Sequence, residues 1–233
     1  MPARSSSLRL LAALVAATAL VAGCQTIGSD TPVVSRADLV NDLATRLDRA
    51  HELTYTVDYQ LPDGQTASIS QAQDPRRAVY QYPGGKIVVT AEMTAECDLG
   101  SRPTCIVTLP PSPSTRPTLA VFAEANKRGL VTPPVVIGLL SAAALDTNAV
   151  IEQYDTTIAG HHATCVRVSG MANAAASSFN ACITTEGVLG SFQGVVDGNA
   201  INLTLSSYRD AVDERVFDLP DDAEVIDKRP EAR

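Results

Sequence analysis

Three histidines and five cysteines are the side chains of this chain best suited to catalysis or metal binding. His161, His162 and Cys165 lie close together in the sequence, and imidazole and thiolate groups are common zinc ligands. Their spacing matches no zinc pattern, and the second cysteine pair that would complete one is missing. His51 falls near the end of a predicted helix. We therefore predict no metal site and interpret the three histidines as surface or turn residues.

The serines form no recognisable catalytic motif. Gly-x-Ser-x-Gly, the phosphate-binding loop and the GxGxxG pattern are all absent from the sequence. The acidic pairs Asp213-Glu214 and Asp221-Asp222 lack the fixed alternate ligand positions of a calcium loop, so they are interpreted as solvated surface. We predict that the protein is not an enzyme, has no catalytic residues and needs no cofactor.

The N-terminus has the pattern of an export signal. Arg4 and Arg9 precede an apolar run over residues 10–22, and the run ends in Leu20-Val21-Ala22-Gly23-Cys24. This ending resembles a bacterial lipobox, in which the cysteine is acylated and becomes the first mature residue. The resemblance implies a signal peptide at 1–23, lipidation of Cys24, and a protein anchored at the extracytoplasmic face of the cell membrane. An ordinary signal peptide with a cysteine at its cleavage site is the alternative.

The negative net charge disfavours anionic partners. Removing residues 1–23 takes away two basic residues and no acidic ones, so the formal net charge changes from −8 to −10. Nucleic acid and anionic membrane surfaces are poor partners for such a chain. Membrane attachment is therefore expected to come from the lipid anchor rather than from charge.

Four cysteines remain after the lipobox has used one: Cys97, Cys105, Cys165 and Cys182. An even number of cysteines in an exported protein favours disulfides, and four cysteines allow three pairings. Turn-rich segments separate the first two and the last two, and each could return the chain on itself. We predict the pairs Cys97–Cys105 and Cys165–Cys182.

The longest uncharged apolar segment of the predicted mature chain is expected to be its central helix. Residues 133–145 are apolar except for Ser141, and Thr132-Pro133 is a typical helix start. A helix of this length rises about 20 Å, whereas spanning a bilayer takes roughly 20 apolar residues. We predict a buried core or cavity helix. Ser35 could cap an amphipathic helix over 36–50, and a third helix is predicted over 118–128.

The remaining segments have strand composition, with turn residues between them. A short tether is expected over 24–35 and a flexible, charged tail over 221–233. Between them, residues 36–220 form a single predicted domain. Strands are predicted at 53–59, 66–73, 78–82, 86–92, 105–109, 150–158, 163–169, 178–184, 188–195 and 200–207, with a final short one near 217–220.

This is an α+β pattern of an N-terminal helix, a β-meander, a two-helix insertion and a second meander ending in Phe217-Asp218-Leu219-Pro220. With the lipobox, it resembles the bacterial lipid-handling lipoproteins and periplasmic carriers of the LolA, LolB and mycobacterial LprG/LppX type. The resemblance implies a curved antiparallel sheet, an open half-barrel, that holds an acyl ligand on its concave face. The N-terminal helix and the two-helix insertion would cover that face.

Two main functions follow from this interpretation. The first is binding or carrying a lipid or another hydrophobic molecule, since each CH₂ moved out of water contributes roughly 0.8 kcal/mol without any polar contact. Its predicted lining residues are Leu119, Phe122, Val135, Val136, Leu139 and Leu140. The second is a structural or adaptor lipoprotein whose helix simply completes the core and which acts through protein contacts. An exported hydrolase with a scattered site is a third hypothesis.

Overall fold

One open, curved sheet organises the protein in the computed structural model, which describes residues 36–110, 119–172 and 174–230. Within these residues twelve strands pair in the order β12-β6-β5-β4-β3-β2-β1-β11-β10-β9-β8-β7. All pairs are antiparallel except β12 with β6. The strands are β1 Tyr55–Gln60, β2 Thr66–Gln73, β3 Arg76–Tyr82, β4 Gly85–Thr90, β5 Thr94–Asp98, β6 Thr104–Thr108, β7 Val150–Ile158, β8 His161–Ser169, β9 Phe179–Thr184, β10 Leu189–Val196, β11 Asn199–Arg209 and β12 Glu224–Asp227.

The two predicted meanders are β1 to β6 and β7 to β11, and they join where β1 pairs with β11. Thr56 lies opposite Arg209, and the register shifts between Asp58 and Tyr59. Ser207 Oγ donates a hydrogen bond to the Asp58 carboxylate at 2.6 Å across this junction, although the two residues are 149 positions apart. The sheet therefore depends on one non-local pairing between two locally formed halves.

Three α-helices accompany the sheet in the described residues: α1 Arg36–Arg49, α2 Ala123–Lys127 and α3 Pro133–Leu145. Short 3-10 turns lie at Ala50–Glu52, Pro62–Gly64, Leu119–Phe122 and Glu214–Phe217. The helix predicted over 118–128 is divided, because the backbone of Phe122 (φ −99°, ψ 6°) separates the 3-10 turn from α2. Thr118 lies outside the described residues. None of the helices within the described ranges has the length and hydrophobicity needed to cross a membrane.

The main core lies between the helices and one side of the sheet, which we call the helix face. Side chains alternate along each strand, so Tyr55, Val57 and Tyr59 of β1 all contribute to this core. Helix α1 packs directly against α3. The Tyr59 hydroxyl donates a hydrogen bond to the Leu189 carbonyl at 3.0 Å, which satisfies a polar group in an otherwise apolar layer.

The opposite side of the sheet, the outer face, has a smaller core that the C-terminal segment covers. Phe217 packs with apolar side chains of β2 to β6. The Arg77 guanidinium lies 4.4 Å from the centre of the Phe217 ring and also pairs with the Glu214 carboxylate. Lys86 Nζ donates a hydrogen bond to the Asp218 carbonyl at 2.6 Å. These contacts fix residues 214–218 across the outer face.

Two sequence predictions are corrected at this end of the sheet. Phe217 belongs to a 3-10 turn rather than to a strand, and the last strand is β12, inside the segment expected to be a flexible tail. Residues 231–233 lie outside the description. Strand β5 was not predicted. Its buried residues Ala95 and Cys97 do alternate with charged residues, but the pattern extends over only five residues and is too short to stand out.

Both predicted disulfides, Cys97–Cys105 and Cys165–Cys182, are present. Each joins residues that lie directly opposite each other on neighbouring strands, β5 with β6 and β8 with β9. The four cysteines are buried on the outer face. Successive residues of a strand point to opposite sides of the sheet, and the residues next to these cysteines point to the helix face. The disulfides therefore crosslink the sheet inside each meander and leave the β1–β11 junction to hydrogen bonds and packing.

The turn between β9 and β10 supports α1. Gly187 has φ of +88°, and a Cβ added there would lie 2.9 Å from the carbonyl oxygen of Arg46. We expect Gly187→Ala to lower the free energy of unfolding by more than about 1 kcal/mol, because alanine is strained at positive φ and would also press on the helix backbone. Urea unfolding followed by circular dichroism measures the loss.

Gly198→Ala is the matched control. Gly198 has φ of +80° with open space around its Cβ position, so this variant reports the backbone strain alone. Gly187→Ala should be the more destabilising of the two. Equal losses would mean that α1 does not rest on the β9–β10 turn in solution.

Candidate functional site

The predicted ligand-lining residues lie deep in the main core. Phe122, Val136 and Leu140 are 0% exposed, Val135 is 2% and Leu139 is 4% exposed. Leu119 begins the 3-10 turn before α2, and its side chain lies outside the description. The structure thus brings five of the six residues together in the layer between helices and sheet, where the sequence placed them.

These residues contact the sheet rather than facing a void. The Phe122 ring meets the Tyr80 ring of β3 edge-on, with 5.0 Å between the ring centres. The α3 residues belong to the same apolar cluster as side chains of β1 to β4 and β8 to β11. In this state the space that could hold a ligand is occupied by α3.

Apolar contact is the main force that holds α3 in place. The helix has no charged side chain, and its one polar side chain, Ser141, donates its hydroxyl proton to the Ile137 carbonyl of the same helix at 2.8 Å. At its C-terminal end, Asp146 accepts hydrogen bonds from the backbone N–H groups of Asn148 and Ala172, both at 2.8 Å. An apolar molecule could therefore replace the helix contacts by contacts of the same kind.

Two buried polar atoms near the start of α3 have no hydrogen-bond partner. They are Oδ1 of Asn126 in α2 and Oγ1 of Thr132, the residue before α3, and their residues are 4% and 0% exposed. A buried polar group without a partner costs roughly 1–3 kcal/mol. These two atoms lower the stability of the connection between α2 and α3, although buried polar atoms without a partner also occur in the strands, at Thr94 and Thr184.

Within the part of the chain that the structure describes, four cavities lie away from the predicted ligand-lining residues, at the rim of the sheet and at the end of α3. The most enclosed has a volume of about 210 Å³. It lies between α2 and the β3–β6 end of the sheet, and Tyr82 and Ile106 form apolar parts of its wall. The other three, of about 470, 470 and 530 Å³, are more open.

The enclosed cavity has an acidic wall. Glu96, Asp98 and Glu124 line it together with Arg128. Hydrogen bonds from Arg128 Nε at 3.1 Å and from a neighbouring lysine hold the pKa of Glu124 below its usual value. Partial removal from water raises the pKa of the Glu96 carboxyl, and burial raises the pKa of Tyr82 to about 12. All three carboxylates still reach solvent, and the volume of about 210 Å³ is below the roughly 300–1,000 Å³ of typical ligand pockets, so this cavity is too small for a long acyl chain.

The histidines lie at turns and strand ends, as predicted for structural residues. His51 is exposed in the 3-10 turn after α1. His161 Nδ1 lies 2.8 Å from a carboxylate oxygen of Glu186, and its ring contacts the Tyr208 ring. Burial raises the pKa of Glu186, but the hydrogen bond from His161 and other bonds to the carboxylate outweigh it and lower the pKa overall. This arrangement ties the β7–β8 turn to the β9–β10 turn.

No group of three metal-binding side chains occurs within the described residues. Cys165, the one cysteine near His161 and His162, is bound to Cys182 and has no thiolate to offer. The disulfide thus explains this cysteine without a metal.

The β7 edge of the sheet is open. Strand β7 is nine residues long and pairs only with β8 among the strands of the described residues. Ala159 and Gly160 have φ of +50° and +85°, which is the geometry of a two-residue hairpin, so Ile158 and His161 exchange hydrogen bonds. Alternation from that pair turns the backbone N–H and C=O groups of residues 151, 153, 155 and 157 away from β8.

The two edge strands of the sheet differ in length, because β12 has four residues and β7 has nine. At the far end, β12 covers β6, with Glu224 N donating to the Pro103 carbonyl and Lys228 N donating to the Val107 carbonyl. At the near end, the side chains of Gln153, Asp155 and Thr157 are all exposed. Unpaired edges are ready templates for another strand.

Sequence analysis identified β7 as a strand but not as an edge. Its position is set by which strands pair, and the pairing of β1 with β11 places the second meander so that β7 comes last. Polar residues on both of its faces were the available signal, because a central strand would be buried on at least one side.

The comparisons with known proteins agree at the level of the fold. No family model matches the sequence, and no curated protein matches it. Among solved structures, the chain is similar to MucB in complex with MucA(peri), with a TM-score of 0.50, 14% identity and coverage of 80% of this chain and 62% of that one. It is also similar to the Pseudomonas aeruginosa MucA/MucB complex, with a TM-score of 0.51, 13% identity and coverage of 80% and 63%. The chain therefore has a LolA-like fold, and it spans less than two thirds of the MucB chains.

A third structure aligns over nearly its whole length. It is an uncharacterized conserved protein from Thermus thermophilus, with a TM-score of 0.48, 9% identity and coverage of 82% of this chain and 99% of that one. The predicted resemblance to the LolA and LolB type is confirmed for the fold, while lipidation at Cys24 stays a prediction, since that residue lies outside the described ranges.

The filled core leads to a stability prediction. We expect Leu140→Ala to lower the free energy of unfolding by about 2–5 kcal/mol, because it leaves a cavity in a fully buried position. Leu145→Ala, in the same helix but at a residue that is 84% exposed, should change it by less than about 0.5 kcal/mol. Urea unfolding of both variants gives the comparison. A loss near zero for Leu140→Ala would mean that α3 is not packed on the sheet in solution.

Proposed function

We propose that this protein is a non-catalytic lipoprotein that acts as an adaptor in the cell envelope by binding another protein along the open β7 edge. The lipid on Cys24 would anchor it at the extracytoplasmic face of the membrane. The β7 edge is the observation that carries the proposal: nine residues, exposed side chains, and outward backbone groups at alternate positions. An extended segment of a partner could add to this edge as a further strand.

The core supports the adaptor over a permanently open carrier. The predicted lining residues whose side chains the structure describes are at most 4% exposed, so the helix and the sheet fill the core without a bound ligand. MucB, which is similar in fold, has been solved in complex with a second protein, MucA. By analogy, a sheet of this kind can work as a platform for a protein partner.

A proline at a β7 residue whose backbone N–H faces away from β8 tests whether the β7 edge binds the partner. Gln153→Pro removes a backbone donor that faces away from β8, so the β7–β8 ladder is retained and only strand addition is blocked. We expect the wild-type protein, isolated from its own envelope after mild crosslinking, to carry a specific partner that Gln153→Pro fails to carry. Mass spectrometry of the crosslinked complexes identifies the partner and its amount.

Gln153→Ala is the control, because it changes the same side chain and keeps the N–H. It should capture the partner as well as the wild type does, and thermal unfolding should show that both variants are folded. Equal capture by Gln153→Pro would exclude the β7 edge as the binding surface.

A second candidate function is reversible binding of an acyl chain or another hydrophobic molecule. The observation in its favour is that apolar contact is the main force on α3 and that the segment before it contains the unpaired Asn126 Oδ1 and Thr132 Oγ1. Outward movement of α3 would open an apolar compartment lined by Val135, Val136, Leu139 and Leu140, and the carrier would then be closed when empty.

Native mass spectrometry of the Cys24→Ser protein tests this second function. A carrier should retain a co-purifying mass that leaves on unfolding and extracts into organic solvent, and Leu139→Asp should lose it because a buried carboxylate is incompatible with an apolar ligand. Circular dichroism checks that the variant is folded. A ligand-free wild-type mass, or a folded Leu139→Asp protein that binds like its parent, would contradict this function.

A further inference from the structure

One side of α3 is exposed and still apolar. Pro134, Gly138, Ala142 and Leu145 follow at intervals of four, four and three residues, so they share one helix face. Gly138 is exposed, Pro134 and Ala142 are partly exposed, and Leu145 is 84% exposed, the highest value among the large apolar side chains that the structure describes. We call these four residues the α3 stripe.

A surface helix normally turns charged or polar residues to the solvent. The α3 stripe has none, and the one hydroxyl of the helix, on Ser141, is occupied by the Ile137 carbonyl. An open cavity beyond the helix is lined by Ala172 and Ala174 next to Ala142 and Leu145, together with the polar residues Asp146, Thr147 and Asn148. The exposed apolar surface of the stripe is a candidate contact surface.

The chain outside the described structure indicates what covers the stripe. Residues 24–35 join the predicted lipidated Cys24 to Arg36, where α1 begins, and α1 packs against α3. Twelve residues reach at most about 40 Å when fully extended. The anchor is therefore attached to the helix layer that carries the stripe, and it keeps that layer within reach of the bilayer.

Charge points to the same surface. With a formal charge of −10 on the predicted mature chain, acidic faces are repelled from an anionic membrane. Helix α3 itself has no charged residue, and the carboxylate that follows it in the sequence, on Asp146, accepts hydrogen bonds from two backbone N–H groups. The residues of the stripe therefore bring no charge of their own to the bilayer, and they add an apolar contact to the lipid anchor.

We infer that the α3 stripe docks on the membrane to which the protein is anchored, with Leu145 inserted at the level of the lipid headgroups and upper acyl chains. This inference rests on the proposed lipid anchor. It gives the helices an orientation toward the bilayer and leaves the sheet edge β7 for a protein partner.

The chain contains no tryptophan, so a single introduced tryptophan reports its own surroundings. Leu145→Trp places the reporter in the stripe, and Val195→Trp places it on the outer face, at a residue that is 52% exposed. Each variant is made in the full acylated chain and reconstituted on phosphatidylcholine vesicles with and without brominated acyl chains. We expect the emission of Leu145→Trp to shift to the blue and to be quenched by the brominated lipid, and that of Val195→Trp to stay unchanged.

Flotation of the vesicles separates the possible failures. If Leu145→Trp floats but is not quenched, or if both variants are quenched equally, the docking inference is wrong while the lipid anchor stands. If the acylated preparation does not float, the proposed anchor fails and the inference fails with it. A blue shift that appears without vesicles and grows with protein concentration would mean that a second copy covers the stripe, and it would overturn membrane docking.

Discussion

The burial of α3 against the helix face of the sheet is the interaction on which the rest of the structure depends. Thirteen residues without a charged side chain must be covered on most sides, and α1 and the sheet together provide that cover. The consequence is a single apolar layer that begins at Val40 in α1 and reaches Leu205 in β11. Apolar contact is not directional, so it stabilises the helix layer on the sheet without requiring one separation between helix and sheet. The same architecture is therefore compatible with an adaptor and with a carrier.

The two faces of the sheet are stabilised in different ways. The helix face is closed by apolar packing, whereas the outer face has two disulfides and a C-terminal segment held by Phe217, Arg77 and Lys86. The disulfides crosslink neighbouring strands within each meander, and the segment over 214–218 adds contacts to β2 to β6 on the side of the sheet that faces away from α3.

The unequal edges connect the fold to the proposed functions. The short strand β12 is the edge at the β6 end, and the longer β7 is the edge at the opposite end. The α3 stripe lies on the helix layer, so a membrane and a protein partner would use different elements. An anchored protein that binds a partner benefits from this separation, because each contact can form without displacing the other.

The sequence alone determined the local features of this protein. The turn-rich segments between Cys97 and Cys105 and between Cys165 and Cys182, together with the export context, were enough for the correct pairs. The Thr132-Pro133 start and the apolar run after it defined α3. The tertiary structure decided everything that depends on distant pairing. The β1–β11 junction, the parallel addition of β12 and the edge position of β7 leave no periodic pattern in their own segments, since each is set by a strand far away in the chain. For the same reason, the sequence placed Val135, Val136, Leu139 and Leu140 beside the sheet but could not say whether they line a space or fill it, because that depends on how closely the separately formed helix and sheet approach each other.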